Sequence, residues 1–210
     1  MILVGRNLSP FTRRVAISLQ LIGLPFERRE LATATQMDEI RTYNPLGRVP
    51  ALVLEDGEVL IDSAAILDYL DELAPADRRL TPAAGAERRS VNRLVAFALG
   101  AMEKGVIAYY ETARRPAELQ WPQWSQMADA QILAGLQQLE TAAAAIAGDG
   151  WLVGERLTQA DISAVVALDF IRAVRPALLP AEALPHLSAL ARRCGEMPAF
   201  AATRPQPPSP

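Results

Sequence analysis

The chain has 210 residues, half of them hydrophobic, and a net charge of −3 from 21 basic and 24 acidic side chains. That length suits one large domain or two small ones with a core that needs no disulfide staples, and the balance lacks the basic face that nucleic-acid binding calls for. A single cysteine, Cys194, excludes an intrachain disulfide, and with the single histidine, His186, it leaves too few ligands for an ordinary zinc site.

Met1 leads into a strand-like run with no signal-like segment, and no apolar stretch approaches the roughly 20 residues that span a bilayer. A reducing cytoplasm and no membrane are the expectation. Ile2 to Val4 reads as a buried strand. Gly5 to Ser9 is a turn, and Pro10 suits the first position of a helix. Phe11, Val15, Leu19 and Ile22 share one face of that helix, with Arg13, Arg14 and Gln20 off it. Gly23 and Pro25 end it. Phe26 to Leu31 is a charged, edge-like strand. Residues 32–43 are weakly helical and polar. Val49 to Leu54 and Val59 to Ile61 pair across a hairpin signal at Asp56-Gly57, where the flanking glutamates allow a longer loop. Asp62 and Ser63 then open a helix with Ile66, Leu67, Leu70 and Leu73 on its apolar face, ending near Pro75.

The order β-α-β-α-β-β-α therefore fills residues 1–76. Residues 77–85 carry a proline, charges and a glycine and read as a linker. Residues 86–203 show no strand. Helices are expected from Arg88 to Arg115, Ser125 to Ala147, Thr158 to Val174 and His186 to Met197, with a break at 116–124. The proline-rich residues 204–210 are an expected disordered tail. The fold class is an α/β N-terminal domain followed by an all-α C-terminal domain.

Three places carry chemistry. The N-terminus of a helix holds carboxylates, while a carboxylate beside it attracts an ammonium. Asp62-Ser63 thus suits the free end of an α-amino acid, although a plain helix cap is the simpler reading of these two residues alone. Proline at the start of a strand is permitted, and a cis Val49-Pro50 bond would turn the Val49 backbone outward to pair with an extended peptide. Only about 5% of X–Pro bonds are cis, so the residues leave this bond open. Ser9, just before a helix, is either a cap or a donor to a ligand thiolate. A thiol titrates near ~8.5, and lowering that by about two units takes roughly 2.7 kcal/mol. A charge-assisted hydrogen bond and a helix terminus together supply that much.

The N-terminal SPF, NPLGRVPAL, the Asp-Ser pair opening a helix and LTQADISAV occur in an order and spacing that resemble a cytosolic glutathione S-transferase of the bacterial serine-type branch. The resemblance covers residues 1–203 and implies a thioredoxin-like first domain. It implies a cis Val49-Pro50 whose Val49 backbone pairs with the cysteinyl part of glutathione, and a γ-glutamyl end held by Asp62 and Ser63. Ser9 falls at the position facing the thiol, with Thr12 and Asn7 as nearby alternatives, and Phe11 beside it is a further expected glutathione-binding residue. Arg48, Gln36 and Arg41 are candidates for the glycyl carboxylate. Thr158 and Asp161 form a capping box, a folding device rather than a catalytic one. Met102, Val106, Tyr109, Tyr110 and Arg114 are the expected lining of a second-substrate pocket, and Trp121 and Trp124 cover it or simply pack. The expected function is conjugation of the glutathione thiolate to a small-molecule electrophile in detoxification, by a homodimer, with glutathione as co-substrate and no metal. The alternatives are an isomerase, dehalogenase or peroxidase, or an interaction protein that keeps glutathione binding without transfer.

Overall fold

The computed structural model describes residues 1–180 and 182–206. Four strands and eight α-helices run in the order β1 (Ile2–Val4), α1 (Pro10–Ile22), β2 (Glu27–Arg29), α2 (Met37–Tyr43), β3 (Ala51–Val53), β4 (Val59–Ile61), α3 (Ser63–Leu73), α4 (Gly85–Ala113), α5 (Pro122–Ala144), α6 (Gln159–Val174), α7 (Pro185–Gly195) and α8 (Pro198–Ala201). They form two compact units. The first holds Met1–Leu80 together with Glu196–Gln206, and the second begins at Thr81 and runs to Gly195.

In the first unit the sheet order is β2-β1-β3-β4, with β2 parallel to β1 and the other pairs antiparallel. The charged strand β2 is at an edge, where its alternating Glu27 and Arg29 face water. Leu3 pairs with Leu52, and both are fully buried. Their neighbours Val4 and Ala51 project from the other face of the pleat, where they pack with Leu31 and Ile40. Helices α1 and α3 pack against one another, and α8 returns from the far end of the chain to pack on α1.

Helix α1 begins as its sequence predicts, with Pro10 in the first turn and Gly23 in the left-handed conformation closing it. It differs in one respect. Arg13 and Arg14, expected off the apolar face, are only 2% and 3% exposed. The reason is that α1 is covered on nearly every side, so even its polar flank is interior. On α3 the departure is opposite. Ile66, Leu67 and Leu70 are buried, but Leu73, a turn further on, is 45% exposed.

Among its described residues the second unit has helices joined by loops and no strand. Helix α6 is its most buried element and packs against α4, α5 and α7. Its start is the capping box expected from Thr158-x-x-Asp161. The Thr158 hydroxyl accepts from Ala160 N–H, and Asp161 accepts from the Thr158 N–H and hydroxyl and from Leu152 N–H. Helix α5 starts at Pro122, three residues before Ser125, because the proline that signalled a break takes the first helical turn. The Glu140 carboxylate accepts the backbone N–H groups of His186 and Leu187 and so caps α7. His186 itself is exposed. Cys194 is a free, fully buried thiol, which burial pushes up to about 12, so it is inert. Among the described residues no helix is long and apolar enough to cross a membrane. Of the proline-rich tail, residues 207–210 lie outside the described residues, while Arg204 to Gln206 have no regular structure.

Candidate glutathione site

Three segments of the first unit converge on one pocket. It is lined by Phe11 from α1, by Asn44, Leu46, Arg48, Val49 and Pro50 from the loop before β3, and by Ile61, Asp62 and Ser63 from the β4–α3 junction. Six residues singled out from the sequence (Phe11, Arg48, Val49, Pro50, Asp62 and Ser63) thus lie together. Arg48 is the one candidate for the glycyl carboxylate among the lining residues. Gln36 instead turns its side-chain oxygen to Ala32 N–H, and Arg41 pairs with Asp38.

The loop is shaped by a residue that the sequence marks only as part of a turn. Asn44 is 2% exposed, its amide donates to Arg48 O at 2.9 Å, and its Oδ1 accepts from Leu46 N–H at 3.0 Å. Gly47 N–H donates to Asn44 O at 2.8 Å and has a φ of 65°, which closes the turn. The Asn-Pro-x-Gly pattern signals that turn, but only the structure shows Asn44 bracing the backbone of Arg48. The Val49-Pro50 bond is cis. Gly5 brings β1 and α1 close to this loop. At a φ of 123°, a Cβ there would lie 2.5 Å from the Thr12 hydroxyl and 2.9 Å from Val49 Cβ.

Asp62 caps α3 through Oδ1, which accepts from Ala64 N–H at 3.1 Å. Its backbone has φ 65° and ψ 137°, a region costly for any residue with a side chain. Asp62 is exposed, whereas Ser63 is 1% exposed and its hydroxyl has no hydrogen-bond partner among the described residues. A buried hydroxyl without a partner in a pocket wall, next to an exposed carboxylate at a helix N-terminus, is matched to a ligand that brings both a carboxylate and an ammonium.

Ser9 caps α1, its Oγ accepting Thr12 N–H at 3.3 Å, and it is half-buried. Capping uses a lone pair and leaves the hydroxyl hydrogen free to donate. Ser9 is not among the residues lining the pocket. Thr12 is fully buried, and its hydroxyl, like Asn7 Oδ1, has no hydrogen-bond partner among the described residues.

Of the residues expected to meet a second substrate, Met102, Val106, Tyr109 and Tyr110 lie on α4 of the second unit and Arg114 is its C-cap. Met102 is completely buried in the core, whereas Val106, Tyr109 and Tyr110 are half-buried and Arg114 is exposed. The Arg114 guanidinium stacks 3.7 Å from the centre of the Tyr110 ring. Trp121 and Trp124 stack on each other, at 56% and 39% exposure.

Residues 3–79 match the glutathione S-transferase N-terminal domain, and residues 121–198 match the glutathione S-transferase C-terminal domain. A maleylacetoacetate isomerase of Pseudomonas aeruginosa is 32% identical over 206 residues, covering 94% of this chain and 93% of that one. An uncharacterised GST-like protein of Escherichia coli, YibF, is 30% identical over 208 residues, covering 97% and 98%. Among solved structures, a Methylobacterium radiotolerans glutathione S-transferase in complex with glutathione sulfonate superposes with a TM-score of 0.90 at 27% identity, covering 99% of this chain and 96% of that chain. A Pseudomonas fluorescens family member with bound glutathione gives 0.84 at 30% identity, covering 98% of each. The chain belongs to the glutathione S-transferase family, and its first unit is the thioredoxin-like domain of that architecture.

Proposed function

We propose that the pocket binds glutathione and that the chain transfers its thiolate to a small electrophile. The observation that carries this is the convergence of Val49, Pro50, Asp62 and Ser63 on one pocket, with the Ser63 hydroxyl buried and unpaired. In this reading the γ-glutamyl ammonium meets Asp62, and its carboxylate meets Ser63 and the N-terminus of α3. The Val49 backbone pairs with the cysteinyl residue, and Arg48 takes the glycyl carboxylate. Phe11 packs against the peptide. The relatives solved with glutathione or its sulfonate support the ligand.

Ser9 donates its hydroxyl to the thiolate, aided by the N-terminus of α1. It is favoured over Thr12 because Thr12 is fully buried while Ser9 is half-exposed. Lowering the thiol pKa by about two units raises the thiolate population at neutral pH by roughly thirtyfold at most. Orientation against the electrophile supplies the rest. The electrophile is taken by Val106, Tyr109 and Tyr110 of α4 and by Arg114 at its C-cap, in a cytoplasmic homodimer that sediments at twice the chain mass. Met102 is left out because it is fully buried.

The test has two arms. Glutathione at millimolar concentration raises the melting temperature, as any ligand selective for the folded state must. Ser9→Ala lowers turnover of an aryl halide about tenfold or more while leaving that thermal shift in place; a change within twofold removes Ser9 from the chemistry. The 32% identity to a maleylacetoacetate isomerase favours glutathione-dependent cis–trans isomerisation as a second reading. Turnover of maleylacetoacetate without turnover of aryl halides would select it.

A further inference from the structure

A second cavity lies wholly within the second unit and shares no lining residue with the glutathione pocket. It is an open cleft of about 570 Å³, lined among others by Arg172, Pro176, Leu179, Glu182, Ser188 and Arg192. Arg172 stands in the last turn of α6, which packs against α7. Ser188 and Arg192 are four residues apart on α7 and so share one of its faces. The Ser188 hydroxyl accepts from Arg172 Nη2 at 2.7 Å and donates to Leu184 O at 2.6 Å, which buttresses the guanidinium at the wall of the cleft. Elsewhere in this unit arginines are neutralised, Arg175 by Asp129 and Arg115 by Glu111. Among the described residues neither Arg172 nor Arg192 has a carboxylate partner, although Glu182 lines the same cleft.

Two guanidinium groups against one carboxylate leave the cleft with a net positive charge, and Pro176 and Leu179 give it an apolar wall. Its volume falls in the range of roughly 300–1,000 Å³ that holds organic ligands, so a bare inorganic anion would leave most of it empty. We propose that this cleft binds an amphipathic monocarboxylate, its carboxylate on Arg172 and Arg192 and its apolar body on Pro176 and Leu179. A carboxylate matches the paired N–H donors of a guanidinium. Arg172, already oriented by Ser188, gives up little side-chain freedom on binding. Glu182 repels a second negative charge, so monoanions are preferred over dianions. The site does not depend on glutathione binding in the first unit.

Calorimetric titration of the full chain at low salt compares 4-phenylbutyrate with its uncharged amide and with phenyl phosphate, which is mostly dianionic above about pH 7. Wild type should bind 4-phenylbutyrate about fivefold or more tightly than either, the range of one charge-assisted interaction. Arg192→Met should weaken 4-phenylbutyrate about fivefold or more and leave the amide as it was. Arg192 is exposed, so that variant keeps its fold. Glu182→Gln should bind phenyl phosphate more tightly and narrow the preference for the monoanion. Saturating glutathione should leave every one of these affinities in place. The proposal is overturned if 4-phenylbutyrate at millimolar concentration gives no binding, if acid and amide bind alike, or if Arg192→Met binds the acid as wild type does. Displacement of 4-phenylbutyrate by glutathione would also overturn it, because the probe would then sit in the pocket of the first unit. An unchanged preference in Glu182→Gln would overturn the selection of monoanions.

Discussion

Two helix N-termini in this molecule are built from the same chemistry and finished differently. Helix α6 opens with Thr158 and Asp161, and α3 with Asp62 and Ser63. At α6 the cap residue is in ordinary extended conformation, Asp161 is fully buried, and both of its carboxylate oxygens accept hydrogen bonds. At α3 the cap residue has a φ of 65°, stands exposed, and is followed by a buried hydroxyl with no hydrogen-bond partner among the described residues. A helix terminus has the same four free N–H groups in both places. What differs is whether the chain completes the hydrogen bonding itself. Where it does, the terminus stabilises the fold; where it leaves donors open and holds the backbone in a costly region, a ligand is the natural partner.

That contrast breaks first at α6. Asp161→Ala leaves the N–H groups of Leu152 and Thr158 and the Thr158 hydroxyl without their acceptor, so the expected loss is about 3–5 kcal/mol in urea unfolding. Whatever fraction stays folded should bind glutathione as before. Asp62→Gly should do the reverse. Glycine accepts the positive φ and remains a tolerable cap, so stability should hold or rise by about 1 kcal/mol, while glutathione affinity falls about tenfold or more. If Asp62→Gly destabilises the chain as much as Asp161→Ala does, the two termini are both folding caps and the distinction is lost. Ser63→Ala is the milder version. Removing a buried, unpaired hydroxyl should leave stability within about 0.5 kcal/mol and weaken glutathione three- to tenfold.

Much of the first unit could be read from residues because its punctuation is local. Pro10 and Gly23 bound α1, the Asp-Gly turn joins β3 to β4, and Asp62 starts α3. Six of the pocket's lining residues, Phe11, Arg48, Val49, Pro50, Asp62 and Ser63, fall within the contiguous motifs SPF, NPLGRVPAL and Asp-Ser, although Ser9 of the first does not line it. What escaped is non-local. Arg13 and Arg14 read as a polar flank, since nothing within α1 tells that its outer side is covered. Asn44 reads as a turn residue, and its bracing of Arg48 O depends on the loop's closed shape. Nothing in residues 198–201 announces that α8 packs on α1. Capping chemistry is equally visible at Thr158 and at Asp62; only the three-dimensional surroundings separate a satisfied cap from an open one.

The smallest effect is a test of how the satisfied cap holds its charge. Burial pushes the Asp161 carboxyl above its ordinary value, against the downward pull of the bonds from Leu152 and Thr158. A carboxyl whose pKa is higher in the folded state binds its proton more tightly there. Between the unfolded and folded values the folded chain therefore carries more protons, so stability falls as pH rises. The contribution is fully present below the unfolded value and is lost as pH passes the folded one. Measured against Asp161→Asn, which cannot titrate, the wild-type advantage should shrink as pH is raised from about 4, the ordinary range of an aspartate. An advantage that grows instead would mean that the capping hydrogen bonds outweigh the cost of burial. The α6 terminus would then favour its anion as strongly as an open helix terminus favours a ligand's.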